Sequence, residues 1–211
     1  MGVRRRQSSR IRRRSSFRRR FGLDRSGPSP RETRPGQPLR PWTIPNAIGY
    51  ARLVAIPVFC VLALSSDGEE PELGAALLYW LIAAGDYIDG FVARATGQYS
   101  RMGALLDPIV DRLTILSGAA VCWHFELLPR WALAALAVRE LITLVLAQIA
   151  LRRGQPLEIN WFGRIAVFPV MGAIFWAMVF PGVVWDVLLV VGLALAVLAT
   201  IAYIRDGLRS R

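Results

Sequence analysis

The sequence predicts an all-α integral membrane protein, six transmembrane helices behind a disordered basic N-terminal tail, and three observations carry that expectation. Across 211 residues the hydrophobic share is 54% and the mean hydropathy is +0.39, too apolar for an average soluble domain. Apolar stretches recur at residues 46–65, 73–95, 104–125, 128–151, 163–181 and 183–204, separated by short polar or Pro/Gly-containing links. Each is close to the roughly 20 residues that cross a bilayer as a helix. The net charge of +11 is confined to one end: residues 1–41 hold fourteen arginines against only Asp24 and Glu32, which leaves the rest near neutral. The expected organisation is a tail over 1–41, a membrane domain over 42–207 and a short cytoplasmic end over 208–211.

In the tail, arginine clusters at 4–6, 12–14 and 18–20 alternate with Ser, Gly and Pro and show no apolar period, the composition of a disordered segment. No apolar run follows the arginines promptly, so a cleaved export signal does not fit. A polybasic segment just before a span meets anionic headgroups, each Arg near the surface contributing about 1 kcal/mol, and this is favoured over a nucleic-acid partner. Six helices put both termini on one side. Arg94 and Arg101, then Arg152, Arg153 and Arg164, fall on the side of the tail and of Arg205 to Arg211, whereas Asp67, Glu69, Glu70 and Glu72 lie opposite, with Glu126 and Arg130. The positive-inside rule then predicts a multi-pass cell-membrane protein with both termini cytoplasmic. Trp42, Trp80, Trp123, Trp131, Trp161, Trp176 and Trp185 mostly flank the spans, as interfacial anchors do.

The second and third spans carry Asp86, Asp89, Asp107 and Asp111 at their cytoplasmic ends. A charge at a helix centre in a membrane costs about 2.5–3.5 kcal/mol on insertion scales, so four acids this close together point to a shared ligand. Asp86 and Asp89 are three apart and Asp107 and Asp111 four apart, so each pair stacks on one helix face. Grouped carboxylates repel unless a cation neutralises them, and all-oxygen ligation points to Mg²⁺ or Mn²⁺. Zinc is disfavoured: the cysteines are Cys60 and Cys122, and the lone His124 lies at the far end of the third span. Gly90 and Gly103, with small Ala93 between them, remove bulk where a ligand or a neighbouring helix approaches, and Arg94 can offer a planar fork to phosphate oxygens. Intramembrane acids could instead line a cation path, but that explains neither the Gly–Ala–Arg spacing nor the placement at the cytoplasmic ends. Arg52, Arg139 and Glu140 either pair inside the bundle or serve the site; adjacent on a helix, Arg139 and Glu140 face different ways.

These residues spell D-x2-D-G-x2-A-R-x8-G-x3-D-x3-D without a gap. The pattern resembles the signature of the CDP-alcohol phosphatidyltransferases. The resemblance extends over about 42–180: Thr43, Ile44, Pro45 and Asn46 followed by Ala51, Arg52, Leu53 and Pro57 look like the first span of the phosphatidylglycerophosphate synthase and cardiolipin synthase branch. Leu106 to Pro108, Asp111 to Leu113, Arg139 to Leu141 and Gly163 with Arg164 are similar to the same branch. The resemblance implies a six-helix membrane enzyme, usually a homodimer, in which an acceptor hydroxyl attacks the β-phosphorus of CDP-diacylglycerol and expels CMP. It implies that Asp86, Asp89, Asp107 and Asp111 hold two divalent ions, with Asp111 also the general base, and that Gly90, Ala93, Arg94 and Gly103 line the CDP pocket. Arg112 and Arg164, on the cytoplasmic side, are candidates for contacting an anionic acceptor, against a role in snorkelling to headgroups. Within the branch the acceptor is glycerol 3-phosphate or phosphatidylglycerol. Ala166 stands where the glycerol-phosphate enzymes often carry a second basic residue, and residues 107–116 and 137–141 resemble the cardiolipin-forming members, which favours phosphatidylglycerol.

Overall fold

A computed structural model describes residues 37–68, 71–152, 161–180 and 182–209, and their side chains except at 146–152, 161–165, 202–204 and 206–209. Of the tail expected to be disordered over 1–41, residues 1–36 lie outside the described residues, whereas 37–41 form no helix and are tied to Asn46 and Met102 through the carbonyls of Leu39, Arg40 and Pro41. Six α-helices follow one another, with no strand among the described residues: α1 Ile44–Leu64, α2 Leu73–Thr96, α3 Arg101–His124, α4 Arg130–Arg152, α5 Trp161–Val179 and α6 Val183–Arg209. They match the apolar stretches of the sequence to within a few residues at most ends.

Local chemistry sets several of these boundaries. Thr43 caps α1, its Oγ1 accepting from the Asn46 amide at 3.3 Å, and Ser100 caps α3, its Oγ accepting from the Gly103 amide at 2.9 Å. Past the end of α2 the chain turns at Gly97, whose φ of +68° lies in the left-handed region that glycine enters without steric cost. Pro57, Pro108 and Pro169 lie inside helices. Such prolines are tolerated where neighbouring groups take up the freed carbonyls.

Among the described residues three helical segments are long and apolar enough to cross a membrane: Ile44–Leu64, Leu73–Thr96 and Val183–Ile201. The six spans expected from the sequence thus meet six helices, three of which have this length and apolarity within their described residues. Arg101, Asp107, Asp111 and Arg112 interrupt α3, Arg130, Arg139 and Glu140 interrupt α4, and the described apolar part of α5 is the shorter Ala166–Val179. The charges that suggest chemistry are the same ones that lower the apolarity of their helices.

The chain divides into two compact units, Met1–Ala55 with Ile82–Asp111, and Ile56–Leu81 with Arg112–Arg211. In the second unit α5 and α4 both pack on α6. Its core includes Phe59, Tyr79, Ile174 and Leu189, all fully buried, and the rings of Phe59 and Tyr79 lie 5.3 Å apart. Gly118 makes this packing possible: a Cβ there would lie 2.6 Å from Tyr79 Cε2 and 2.7 Å from Ile174 Cγ2. Large apolar side chains such as Val54, Val61 and Val184 point outward, as they do on helices whose solvent is lipid. Trp176 stacks on Trp185 at 5.9 Å, and the Trp185 indole donates to Phe180 O at 2.8 Å, forming an aromatic cap over the α5–α6 turn.

Candidate active site

All eight signature residues belong to the first unit. Asp86, Asp89, Gly90, Ala93 and Arg94 come from the C-terminal half of α2, and Gly103, Asp107 and Asp111 from the N-terminal half of α3. Helical spacing alone puts Asp86 one turn from Asp89 and Asp107 one turn from Asp111. The step that the sequence left open is how the two pairs meet. They meet on Arg52 of α1.

The Arg52 guanidinium donates through Nη1 to Asp89 Oδ2 at 3.0 Å and through Nη2 to Asp111 Oδ1 at 2.8 Å. Nη1 also lies 3.6 Å from Asp86 Oδ1. Its Nε donates to the Ile82 carbonyl at 2.9 Å. The Arg52 and Asp89 side chains are buried, at 4% and 5% exposure, whereas Asp86 is half exposed. Of the two roles the sequence allowed Arg52, internal pairing is the one observed, and its partners are the signature carboxylates.

Beside this cluster lies an open cleft, lined by Asp89, Gly90, Ala93, Gly103 and Asp107 of the signature together with Pro45, Asn46, Gln98, Tyr99, Ser100 and Ala104. Its wall is tied together by hydrogen bonds. Asn46, buried, donates through Nδ2 to Arg40 O at 3.1 Å and Pro41 O at 3.0 Å, and its Oδ1 accepts from Ser100 Oγ at 2.9 Å. These bonds hold the segment before α1, where Arg40 has a φ of +43°, against the start of α3. Met102 N donates to Leu39 O at 3.0 Å in the same strap. The sequence marks Asn46 only as part of the first-span pattern and does not single out Ser100. A Ser three residues before Gly103 at the start of an apolar run is a capping signal that could have found it. Arg94 is half buried, and its Nη1 would lie 3.2 Å from a Cβ at Gly90.

The second unit holds a further, buried charged group around Glu140. Glu140, 1% exposed, accepts from Arg112 Nη1 at 2.5 Å and from the Arg139 guanidinium. Arg139 also reaches Ala196 O at 3.4 Å. The expectation that Arg139 and Glu140 diverge because they are adjacent fails here, since a long arginine side chain can curl back along its own helix. Arg112 is engaged by this pair rather than standing alone. Arg164 lies in α5, its side chain outside the described residues.

Residues 42–201 match the CDP-alcohol phosphatidyltransferase family. The chain belongs to that family. Over 134 residues it is 40% identical to a cardiolipin synthase (CMP-forming) of Streptomyces coelicolor, covering 62% of each chain. It is 33% identical over 130 residues to a putative cardiolipin synthase of Mycobacterium tuberculosis, covering 61% of each. It is 27% identical over 135 residues to a CDP-diacylglycerol–glycerol-3-phosphate 3-phosphatidyltransferase of Bacillus subtilis, covering 59% of this chain and 70% of that one. The chain thus spans about three fifths of the length of the two synthases named first.

CDP-alcohol phosphatidyltransferases generally use divalent metal ions. Among the described residues no three Asp, Glu, His or Cys side chains are grouped to hold one as they stand. The donor chemistry fits a hard divalent cation all the same: four carboxylates from two neighbouring helix segments, with no thiolate or imidazole in the unit's cleft. Three of them engage the guanidinium through a single oxygen each.

Proposed function

We propose that this chain transfers a phosphatidyl group from CDP-diacylglycerol to the hydroxyl of a glycerol-type acceptor and releases CMP. The observation that carries the reading is the convergence of Asp86, Asp89 and Asp111 on one point, beside a cleft lined by Asp89, Gly90, Ala93, Gly103 and Asp107. Gly90, Ala93 and Gly103 supply little bulk along that wall, which leaves room for the CDP moiety, and Arg94 supplies a fork for its phosphates. Asp86, Asp89, Asp107 and Asp111 would hold the divalent ions, Mg²⁺ or Mn²⁺, and bound there the ions would neutralise the diphosphate. Asp111 takes the proton of the acceptor hydroxyl as its oxygen bonds to the β-phosphorus. The bond from that phosphorus to the CMP oxygen breaks, and CMP leaves with the electron pair. No side chain acts as a nucleophile.

The favoured acceptor is phosphatidylglycerol, giving cardiolipin. The higher identity to the relative named as a cardiolipin synthase than to the one named for glycerol 3-phosphate supports this choice, as does Ala166 in place of a second base. Arg112 and Arg164 remain the candidates for the acceptor's phosphate. The same reading includes six membrane spans, both termini and the cleft on the cytoplasmic side, anionic headgroups around the tail and a homodimer. The test reconstitutes the purified chain with CDP-diacylglycerol, Mg²⁺ or Mn²⁺, and either phosphatidylglycerol or glycerol 3-phosphate, and weighs the lipid product by mass spectrometry. Cardiolipin with stoichiometric CMP is expected. Phosphatidylglycerophosphate alone would reassign the acceptor, and no CMP with any alcohol would refute the reaction.

A further inference from the structure

We propose that Arg52 is a positioning residue for the carboxylate cluster, a permanent counter-cation that clamps α2 to α3 and against whose charge divalent ions must load. The inference rests on the metal-dependent reading above. It starts from three features of Arg52. Its side chain is only 4% exposed, and its acidic partners among the described residues are Asp86, Asp89 and Asp111. It is held at three nitrogens, the Nε bond to Ile82 O fixing the near end of the fork and the two Nη bonds the far end. And α2 has made space for it: a Cβ on Gly85 would lie 2.7 Å from Arg52 Cδ and 3.0 Å from Cγ, so the helix is bare where the stem passes.

A guanidinium keeps its proton at any working pH, so the charge it brings is constant, and its planar fork can span two carboxylates where a lysine offers a single point. Four carboxylates with one such cation keep a strongly negative site that still attracts divalent ions, while the like charges on α2 and α3 no longer force those helices apart. The two consequences have opposite signs. Neutralising Arg52 removes a cation that competes with the metal, so metal binding tightens. It also leaves the acids unbalanced when no metal is present, so stability in chelator falls.

The experiment uses the purified full chain in detergent, without lipid substrate, and Mn²⁺ alone as the probe. Free Mn²⁺ is followed by its electron paramagnetic resonance signal, and thermal unfolding is recorded in EDTA and in saturating Mn²⁺. Arg52→Gln should bind Mn²⁺ at least about tenfold more tightly than the wild type and show a larger Mn²⁺-induced rise in Tm. Arg52→Lys, which keeps the charge, should stay within about threefold of the wild-type affinity. Gly85→Ala changes no charge but pushes the guanidinium off its carboxylates, and should move both readouts in the direction of Arg52→Gln even where that variant does not purify. Weaker or unchanged Mn²⁺ binding in Arg52→Gln and Gly85→Ala, beside saturable binding in the wild type, would overturn the inference alone. Absence of saturable Mn²⁺ binding in the wild type would overturn the metal reading and the inference with it.

Discussion

Gly103→Ala tests whether the signature glycine of α3 is there for its neighbour Asn46. A Cβ at position 103 would lie 2.7 Å from Asn46 Oδ1 and 3.2 Å from Ser100 Oγ. Asn46 Oδ1 would have to retreat by about 0.7 Å to reach ordinary contact, yet it is held by Ser100 while its amide is held by the Arg40 and Pro41 carbonyls. Overpacking in a rigid site costs about 1–3 kcal/mol, and each weakened neutral hydrogen bond adds about 0.5–1.5 kcal/mol. A destabilisation of about 2–4 kcal/mol follows for Gly103→Ala, and Asn46→Ala alone, which forfeits three hydrogen bonds, falls in the same range. Combined, the two should cost less than their sum by about 1–2 kcal/mol, because the new methyl group occupies the space that Asn46 vacates. Equilibrium unfolding in mixed micelles of a mild detergent and SDS would measure the cycle, with CDP-diacylglycerol affinity measured in parallel. Additivity to within about 0.5 kcal/mol would refute the steric coupling. If Gly103→Ala also kept wild-type stability while losing CDP-lipid affinity, the glycine would be kept for the ligand and not for Asn46.

Three further outcomes are expected. Asp89→Asn should nearly abolish CMP release while the protein still inserts, and EDTA should silence the wild type until Mg²⁺ or Mn²⁺ is restored; full turnover in excess chelator would remove metals from the mechanism. Glu140→Leu should destabilise the chain by about 3–5 kcal/mol, because the Arg112 and Arg139 guanidiniums lose their common carboxylate in a buried setting; a loss under about 1 kcal/mol would show that water or lipid phosphate takes its place. Deleting residues 1–36 should leave catalysis in detergent intact but weaken binding to anionic vesicles and flatten its salt dependence; equal salt sensitivity in both chains would refute the headgroup role of the arginine clusters.

Much of this protein is written in local sequence. Apolar runs of membrane length placed all six helices, since lipid and helix period impose a pattern that needs no partner to be read. The stacking of Asp86 with Asp89 and of Asp107 with Asp111 follows from helix geometry alone. The gapless signature carried family membership for the same reason, being confined to two consecutive helices. Tertiary structure decided what depends on residues distant in the chain: that Arg52, 37 and 59 positions from its partners Asp89 and Asp111, is the point where the two acid pairs meet, and that Gly103 is bare opposite Asn46 of α1. It also decided that Arg139 curls back onto Glu140 and shares it with Arg112, against the divergence that helical adjacency suggests. A guanidinium on a flexible stem reaches whichever buried acid the packed helices bring near, and periodicity along one helix holds no record of which acid that is.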